Sequence, residues 1–591
     1  MAPRVIVLGG GVAGMSAAHE LTERGFEVDV YERGEGPGGK ARSSSVPGTA
    51  RGSTPAGPRK DLPGEHGFRF FPPFYRHIID TMKRIPFGTD GRRVADNLME
   101  ASRHMMAIPG TKPFIIPVRF PRSCDDLRLM LEATARFDEL GLSQSDLEWF
   151  GERLWQLMTM SEERIAGEYE RVSWWDYLDA DRRSQTFRDL LVSGLTRTLV
   201  AADPRTASTQ VGGRILIELI FAIAVPGRSA DHLLNAPTND AWLDPWLEYL
   251  TRRGVRFHFQ TDVRRIHCDN ARIVGVTVGQ GTRNLSVTGD FYVAAVPVEV
   301  MDELLTAEMI TADETLLGIR ELATQVGWMS GVQYFLQKPT PLAHGHVTYV
   351  ASPWALTSIS QGQFWTGTDL GNYGDGSIQD ILSVDVSDWF TPGRTATRDR
   401  AAACTNRHVI IDEVWEQIRQ SLHASGEPLV PDRCPPIRSL DPNVVVGPSG
   451  AHNHTPLLVN FADSWHLRPE AYTRIPNLLL ASDYVRTNTS LATMEAANEA
   501  ARRAVNGIVD RCPEMRARSC KIWPLSAPWP LWPLRRHDAR RYAKGLPYRA
   551  QQPLWLRLFR WVLVALLRGG AKSARWVAHR PAVKRHLQRR R

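Results

Sequence analysis

The chain has 591 residues, of which 43% are hydrophobic and 23% charged, with 46 Gly and 39 Pro. This composition is ordinary for a globular protein and excludes a collagenous, coiled-coil or wholly disordered chain. The six cysteines are scattered without a Cys-x-x-Cys pair, which argues against a disulfide framework or a structural zinc site and predicts a reducing compartment. The first residues run straight into a strand pattern and no apolar stretch reaches about 18 residues, so we expect neither a secretory signal nor a membrane-spanning helix.

The charge of the chain is divided unevenly. Residues 513–591 carry 20 Lys and Arg against only Glu514 and Asp538, a balance of +18, whereas residues 1–512 carry 52 basic and 62 acidic side chains. A strongly basic segment that follows a mildly acidic body predicts an anionic partner for the basic segment.

A glycine-rich turn lies near the start of the chain. Residues 4–8 have the apolar pattern of a buried strand, and residues 15–24 have helical spacing. Between them lies a G-x-G-x-x-G pattern with the sequence Gly9-Gly10-Gly11-Val12-Ala13-Gly14. Between a strand and a helix this pattern predicts a dinucleotide site, because the glycines permit a tight turn and let the backbone approach a pyrophosphate at the helix N-terminus.

An acidic residue follows the second predicted strand, as expected for such a site. The strand of residues 27–31 ends at Glu32, 18 residues after Gly14. A carboxylate at this point accepts hydrogen bonds from ribose hydroxyls and repels a 2′-phosphate. The alternative is a glycine-rich turn that binds no ligand.

A second glycine-rich segment follows Glu32 directly, with the sequence Arg33-Gly34-Glu35-Gly36-Pro37-Gly38-Gly39-Lys40-Ala41-Arg42. This segment resembles the second glycine motif of the superfamily of FAD-dependent amine oxidases and carotene desaturases. The resemblance implies that FAD is the cofactor and that the Gly-Gly pair and the basic residue lie beside its pyrophosphate. It implies FAD contacts for Arg33, Gly38, Gly39 and Lys40, in addition to those of the first glycine turn.

A third segment resembles the stretch that follows the Gly-Gly-Lys motif in phytoene and ζ-carotene desaturases; it runs Glu65-His66-Gly67-Phe68-Arg69-Phe70-Phe71-Pro72-Pro73-Phe74-Tyr75. The resemblance implies FAD contacts at Gly67 and Phe68. Glu65, His66 and Arg69 are the polar residues nearest to the expected flavin region, and they are the candidate catalytic residues. Arg69 stands where plant-type desaturases usually have His, which leaves the substrate and the reaction open.

Residues 477–497 resemble the C-terminal FAD motif of the family, in which a strand ends in Ala-Gly-Asp-Tyr and a helix follows. Ser482 replaces the customary Gly of that motif. The resemblance implies that Asp483 holds the ribityl or phosphate region of FAD. It also implies that the turn around Thr493 and Met494 places backbone N–H groups and a helix N-terminus near the flavin.

The resemblance implies an α/β fold. Residues 246–297 match the return of the family's chain into the FAD domain, with Val263 at the adenine-side backbone contact. The implied architecture is a Rossmann-type FAD-binding domain, a discontinuous α+β substrate domain and a basic amphipathic C-terminal tail. The FAD-binding domain takes residues 1–100, 241–304 and 455–512, the substrate domain residues 101–240 and 305–454, and the tail residues 513–591.

The substrate half carries no nucleotide motif. Residues 127–140 and 147–159 have helical spacing, and residues 332–336 have the pattern of a strand. The apolar run 215–225 predicts either a core helix or the lining of a long hydrophobic tunnel. The insert 43–64 is rich in Ser, Pro and Gly and predicts a flexible loop. No catalytic triad, paired carboxylates or metal-ligand spacing stands out, so we expect no metal, and this fits chemistry supplied by a flavin.

The basic tail has two parts. Prolines recur at close spacing in residues 523–534, so no regular helix is expected there. Residues 554–567 are apolar apart from two arginines, which belong to a basic helical face made of Arg557, Arg560, Arg568, Lys572 and Arg575. Such a helix is expected to lie at an anionic membrane surface rather than cross it. The alternatives are packing on the acidic surface of the body and nucleic-acid binding, and we expect no nucleic-acid partner because no nucleic-acid motif is present.

These observations together predict an FAD-dependent oxidoreductase that desaturates a long, lipid-like polyene or isoprenoid, with hydride passing to flavin and then to quinone or oxygen. The enzyme is expected to be peripheral, at the cytoplasmic face of a membrane. Alternatives on the same scaffold are an isomerase, a dehydroxylase or an acyl-chain dehydrogenase. An amine oxidase is a further alternative, and so is a flavin-binding membrane scaffold without turnover.

Overall fold

A computed structural model describes residues 2–550 except residues 56, 195, 198–201, 424–427 and 526–530. The predicted α/β class is confirmed: a five-stranded parallel sheet and a seven-stranded mixed sheet each form a core with helices. The described helices of seven or more residues are Val12–Thr22, Arg76–Arg84, Cys124–Glu139, Gln144–Thr159, Thr209–Ala224, Asp244–Arg252, Val298–Leu304, Leu317–Ala323, Arg407–Leu422, Met494–Val509 and Trp532–Tyr542.

The parallel sheet is assembled from distant parts of the chain, in the spatial order Arg256–His258, Glu27–Tyr31, Arg4–Leu8, Phe291–Ala294 and Leu478–Leu480. Residues 5–8 and 292–294 of its central strands are apolar and fully buried, as expected for a sheet covered on both faces. Helices Val12–Thr22 and Met494–Val509 pack in the same core. All five strands run the same way, so their carboxyl ends open at one edge, where open parallel sheets bind ligands.

The mixed sheet holds the substrate half together. Its strands lie in the order Arg438–Leu440, Ser330–Leu336, Asp380–Val386, Leu356–Ser360, His346–Tyr349, Arg103–Ala107 and Phe114–Pro117. Helix Arg407–Leu422 packs on it: the Tyr334 and Trp415 rings lie 4.8 Å apart, and the Tyr334 hydroxyl donates to the carbonyl of Ile411 at 2.6 Å. The strand expected over residues 332–336 is therefore present, within Ser330–Leu336.

Smaller strand sets complete the sheet structure of the described chain. One antiparallel sheet contains Asp262–Asp269, Arg272–Gln280 and Arg283–Val287. The strand pairs are Leu98–Glu100 with His232–Leu234, Val326–Gly327 with Leu457–Leu458, Val444–Gly447 with Gly450–Asn453, Ser43–Val46 with Leu62–Glu65, and Ser53–Thr54 with Gly57–Pro58.

The helical part of the substrate half has a core of its own. Helices Cys124–Glu139 and Gln144–Thr159 confirm the two helices expected from spacing. Helix Thr209–Ala224 lies between two cores: Ile215 and Leu219 pack against the core of the parallel sheet, and Leu216 and Ile217 pack against the helical core. These four side chains are half-buried, so the helix is neither a fully buried core helix nor an exposed one.

The prediction of a flexible loop over residues 43–64 is wrong. Ser43–Val46 and Leu62–Glu65 pair as antiparallel strands, and Ser53–Thr54 pairs with Gly57–Pro58. The Asp61 carboxylate accepts hydrogen bonds at 2.8 Å from the backbone N–H groups of Thr49 and Ala50. The Asp61 side chain thus satisfies the backbone N–H groups of this turn, and composition alone does not reveal such a contact.

The described part of the tail packs on the body. The backbone N–H of Trp523 donates to His77 Nε2 at 2.9 Å, and helix Trp532–Tyr542 contacts the helical part. The prediction that residues 523–534 form no regular helix is therefore wrong for residues 532–534. Pro533 lies in the first turn of the helix, where its missing N–H costs nothing. The predicted amphipathic helix of residues 554–567, with Arg557, Arg560, Arg568, Lys572 and Arg575, lies outside the described residues.

The described residues lack both a membrane-spanning helix and a metal-binding cluster. None of the helices in those ranges is both long and apolar enough to cross a bilayer. In the same part of the chain, no three or more His, Cys, Asp or Glu side chains are grouped so that they could hold a metal ion.

Candidate functional site

The glycines of the first turn serve different purposes. Gly9 has a φ of +103°, and a Cβ there would lie 2.6 Å from the carbonyl oxygen of Ala295. A Cβ on Gly14 would lie 1.9 Å from the carbonyl oxygen of Gly9, so these two glycines are required by the fold. Gly11 has an ordinary φ of −67°, and the nearest atom to a Cβ there would be the Cα of Gly39, at 3.9 Å. Neither the backbone nor the protein neighbours require glycine at position 11, which leaves that space for a ligand.

The helix that follows is open to an anion. Gly11 is the N-cap of helix Val12–Thr22, makes no side-chain capping bond, and no acidic residue lies in the first turn. The leading N–H groups of a helix, here including those of Val12 and Ala13, have no partner within the helix and carry a partial positive charge. This end of the helix therefore suits a pyrophosphate.

Glu32 is held in a fixed orientation at the end of its strand. Its carboxylate accepts hydrogen bonds at 2.7 Å from the backbone N–H groups of Gly10 and Gly34. The carbonyl of Glu32 accepts from Thr261 N–H at 2.9 Å, which brings the start of the strand that contains Val263 next to it. The two residues expected at the adenosine end of FAD are thus on neighbouring segments.

The second glycine segment lies against the first. The N–H of Gly38 donates to the carbonyl of Gly10 at 2.8 Å, and Gly38 and Gly39 have φ values of +101° and +54° that favour glycine. Lys40 Nζ lies 3.3 Å from Glu299 and also donates to the carbonyl of Pro456, so in this structure the ammonium is engaged by protein groups. Arg33 is exposed at the same edge.

The C-terminal motif reaches the same edge of the parallel sheet. Asp483 lies just after the strand Leu478–Leu480, half-buried, and its carboxylate accepts from the Ser482 hydroxyl at 3.2 Å. The Asp483 carbonyl accepts from Arg468 at 2.7 Å, and burial lowers the pKa of this arginine to about 10. The Asp483 backbone is therefore fixed while its carboxylate keeps capacity to accept further hydrogen bonds.

Thr493 and Met494 begin the helix that packs beside the first turn. Thr493 is the N-cap of helix Met494–Val509, and its hydroxyl accepts from the N–H of Ala496 at 3.2 Å. Met494 is half-buried against the core of the parallel sheet. The next residue, Glu495, accepts from both the backbone N–H and Nδ1 of His77, at 2.9 and 2.6 Å. This buried pair joins the C-terminal motif to helix Arg76–Arg84, and sequence reasoning did not anticipate it.

The residues at this edge fit FAD. The open helix N-terminus and the space beside Gly11 suit its pyrophosphate, and the Glu32 and Asp483 carboxylates suit its hydroxyl groups. The structure brings together the predicted residues of both glycine segments, Glu32 and Asp483 at the carboxyl end of the parallel sheet.

Of the three candidate catalytic residues, two are committed to protein partners. The buried Glu65 carboxylate accepts from the Ser43 hydroxyl at 2.7 Å and from the N–H and hydroxyl of Thr238 at 3.0 Å each, and burial raises its pKa. Arg69 donates at 3.1 Å to the carbonyls of Lys40 and Ala41, and burial lowers its pKa. These two side chains therefore fix the loop that carries them.

The third candidate, His66, is paired on one side only. Its Nδ1 lies 2.5 Å from the Asp441 carboxylate, whereas Nε2 is buried and has no hydrogen-bond partner in the part of the chain that the structure describes. A Cβ on Gly67 would lie 2.6 Å from Oδ1 of Asp385, so glycine at this position allows the Asp385 carboxylate to approach closely. The Phe68 N–H donates to the same carboxylate. Burial raises the pKa of Asp385 to about 7, against the attraction of Arg69. Asp385 and Asp441 lie more than 300 positions from His66, and no local signal identified them.

Comparisons with known proteins agree with this geometry. The family of flavin-containing amine oxidoreductases matches residues 12–509. Hydroxyneurosporene desaturase of Rhodobacter capsulatus is 26% identical over 309 residues, which are 47% of this chain and 53% of that protein. The ζ-carotene-forming phytoene desaturase of Myxococcus xanthus is 44% identical over 45 residues, 8% of this chain and 9% of that one. The chain thus spans about half the length of the first of these relatives.

A solved structure shows the same fold. Cyclohexylamine oxidase from Brevibacterium oxydans superposes with a TM-score of 0.52 and 14% identity, over 86% of this chain and 100% of that one. The resemblance to the FAD-dependent superfamily that the motifs indicated is confirmed, because the family match extends over most of the chain. The chain therefore belongs to the family of flavin-containing amine oxidoreductases.

Proposed function

We propose that the chain desaturates a long hydrophobic polyene or isoprenoid, and that the electrons pass from FAD to quinone or oxygen. The observation that carries this proposal is the 26% identity, over 309 residues, to a protein named hydroxyneurosporene desaturase. The shorter match to a phytoene desaturase supports the same class of substrate. An isomerase, a dehydroxylase or an acyl-chain dehydrogenase on this scaffold is the alternative.

The surface of helix Thr209–Ala224 supports the proposal that the substrate is hydrophobic. It carries a run of half-buried apolar side chains between the parallel-sheet core and the helical core, and Val225 after it is 36% exposed. Half-buried apolar surface between two cores suits a long apolar molecule better than a charged amine.

FAD, when bound, accepts hydride and so supplies the oxidation. The chain's own residues would bind and orient it: the first helix N-terminus would hold the pyrophosphate, and Glu32 and Asp483 would hold hydroxyl groups. Glu65 and Arg69 fix the loop of residues 65–70 against the second glycine segment and Thr238. Residues 65–67 of this loop are buried where the flavin-binding half meets the mixed sheet, which limits the access of water there.

Anaerobic incubation with candidate lipids tests the reaction. We expect a polyene with a saturated bond to bleach the flavin absorbance in one turnover and to yield a product that is lighter by two hydrogens. Product without bleaching would identify an isomerase, and bleaching by an amine but by no polyene would identify an amine oxidase. Apoprotein stripped of FAD is the control for product formation without the cofactor.

We further propose that the enzyme acts at the cytoplasmic surface of an anionic membrane. In the described part of the tail, helix Trp532–Tyr542 exposes Trp532 (59% exposed), Arg536 and Arg540 at intervals of four residues. The guanidinium of Arg536 lies 5.1 Å from the centre of the Trp532 ring. Tryptophan beside basic residues is typical of surfaces that bind a lipid headgroup layer. The basic charge of residues 513–591 supports the same proposal.

Flotation with liposomes tests the membrane proposal. We expect the full chain to float with vesicles that contain anionic lipid, and to float less with purely zwitterionic vesicles. A chain that ends at residue 550 keeps the packed part of the tail, so it should retain FAD but float less. High salt should weaken recruitment without abolishing it, because apolar burial persists when charges are screened. Equal flotation of the shortened chain would show that residues 551–591 are not the anchor.

A further inference from the structure

A loop crosses from the flavin-binding half to the mixed sheet at residues 65–70. On one side Arg69 donates to the carbonyls of Lys40 and Ala41 in the second glycine segment. On the other side the loop lies against the strand Ser330–Leu336, where a Cβ on Gly331 would lie 2.7 Å from the His66 carbonyl oxygen. His66 is therefore fixed at the boundary between the half that binds FAD and the half that is expected to bind substrate.

The partner of His66 is itself held in place. The Asp441 N–H donates to the carbonyl of Gly331 at 2.9 Å. Asp441 Oδ1 accepts from the backbone N–H and the side-chain amide of Asn443, at 3.0 and 2.9 Å. These contacts leave Oδ2 to face Nδ1 of His66 at 2.5 Å. A carboxylate accepts hydrogen bonds and does not donate, so Nδ1 is the donor to Asp441, and in the neutral ring Nε2 is the nitrogen that has a lone pair.

The free nitrogen of His66 calls for an explanation. Buried polar atoms are nearly always hydrogen-bonded, yet Nε2 has no partner within the described residues. The other titratable groups near the loop are Glu65, Arg69, Asp385, Asp441 and His346, whose ring centre lies 4.6 Å from that of Phe68. Glu65 and Arg69 hydrogen-bond to protein groups, and His346 lies on a strand outside the loop. Within the loop itself, His66 is the basic group that is oriented by a partner and keeps a ring nitrogen without one among the described residues.

We propose that His66 is the base that takes up the proton released in the desaturation, and that Asp441 is its positioning residue; the inference rests on the proposed function. Two neighbouring C–H bonds of the substrate break. FAD, when bound, would accept one hydrogen with its electron pair as hydride, and Nε2 of His66 would take the other as a proton. The electron pair of the second C–H bond becomes the new C=C bond, and the nearby Asp441 carboxylate stabilises the imidazolium that forms.

Two variants test the proposal in the intact, FAD-loaded enzyme. His66→Ala should slow anaerobic bleaching of the flavin by a lipid substrate about 10²- to 10⁴-fold, the usual contribution of a positioned base. Added imidazole should restore part of the rate. Asp441→Asn keeps the shape of the side chain but lets its amide donate to Nδ1, so Nε2 becomes protonated and the rate should also fall. His452→Ala, at an exposed position on the surface, is the matched control and should react like the wild type.

A measurement without turnover separates this inference from the proposed function. In the substrate-free protein a short Nδ1–H bond to Asp441 should give a far-downfield proton resonance that both variants lack. FAD content should be unchanged in both. If His66→Ala bleaches as fast as the wild type, or if imidazole fails to rescue while FAD content is intact, His66 is not the base. Should His66→Ala fail to fold, the isosteric Asp441→Asn decides alone. If the wild type is bleached by no polyene while the resonance is present, the proposed function is at fault.

Discussion

Arg164 Nε donates to both carboxylate oxygens of Asp538 at 3.0 Å, although the two residues are 374 positions apart in the chain. The arginine side chain is fully buried and the aspartate side chain is 4% exposed. Asp538 also accepts from the N–H of Ser161 at 2.9 Å, and Arg164 also donates to the carbonyl of Leu546 at 2.8 Å. This pair attaches the described end of the basic tail to the helical part of the substrate half, so that part of the tail is a piece of the folded body.

Asp538→Ala should release this attachment. It leaves the guanidinium of Arg164 buried with fewer partners, and breaking a buried pair in this way costs about 3–5 kcal/mol. We expect limited trypsin digestion to cut at Arg540, Arg541 and Lys544 much faster than in the wild type. Arg540→Ala, an exposed position on the same helix, is the control and should leave cleavage at the other two sites unchanged. Equal protection of the Asp538→Ala chain would show that other contacts hold the helix.

The two glycines at positions 11 and 14 should respond differently to substitution by valine. Gly11→Val should fold and melt like the FAD-free wild type but purify without flavin, because its side chain enters the space assigned to the pyrophosphate. Gly14→Val should fail to fold, because its Cβ would lie 1.9 Å from the carbonyl oxygen of Gly9. Absorbance near 450 nm and a circular dichroism melt measure the two effects. A yellow Gly11→Val protein would contradict the assignment.

Asp483→Ala should weaken FAD binding without unfolding the chain. The carboxylate at this strand end has capacity to accept from cofactor hydroxyls, which corresponds to about 1.5–3 kcal/mol, or about 10- to 100-fold in affinity. Fluorescence titration of the apoprotein with FAD gives the dissociation constant. Asp510→Ala, an exposed change after helix Met494–Val509, is the control. An unchanged constant in the Asp483 variant would show that this carboxylate does not hold the cofactor.

Glu20 should make the flavin-binding half sensitive to acid. It lies 2.7 Å from Arg24 and 3.3 Å from Arg502, and it also pairs with Arg84. Burial opposes its ionisation, but the charges of Arg502 and Arg84 outweigh burial and lower the pKa of Glu20 to about 2. A folded-state pKa below the unfolded value contributes stability that is present above about pH 4.5 and is lost as the pH falls towards 2, here about 3 kcal/mol.

Urea denaturation at several pH values measures this contribution. Glu20→Gln should lower the free energy of unfolding by about 3 kcal/mol at pH 7, and the difference from the wild type should vanish near pH 2. Glu248 is 65% exposed and pairs with an exposed arginine, so Glu248→Gln is the control. It should change the free energy of unfolding by less than about 1 kcal/mol. A difference that does not depend on pH would contradict the role assigned to the charge of Glu20.

Asp385 should have the opposite dependence on pH. Burial raises its pKa to about 7, so the folded state binds a proton more tightly than the unfolded state does. The resulting stability is present below about pH 4 and is lost as the pH rises through 7. Asp385→Asn should therefore raise the melting temperature at pH 8 and leave it nearly unchanged at pH 4. A lower melting temperature at pH 8 would show that the attraction of Arg69 outweighs burial.

The pattern of local motifs determined the cofactor and the fold class of this protein. The glycine turn, Glu32, the second glycine segment and the Asp483 motif each follow a predicted strand closely. The geometry of a strand, a tight turn and a helix N-terminus is fixed by adjacent residues, so a single sequence reveals it. The helices of residues 127–140 and 147–159 were predictable for the same reason, because their spacing is local.

The tertiary structure alone decided which polar residues are free to act. The sequence placed Glu65, His66 and Arg69 together but could not rank them, because their partners Thr238 and Asp441 come from distant segments. The sequence also predicted a flexible loop at residues 43–64, where the Asp61 carboxylate closes a turn. It predicted no regular helix at residues 532–534, where the buried Arg164–Asp538 pair attaches the helix to the body. Hydrogen-bond satisfaction inside a protein depends on groups that meet only when the chain has folded, and no local pattern records it.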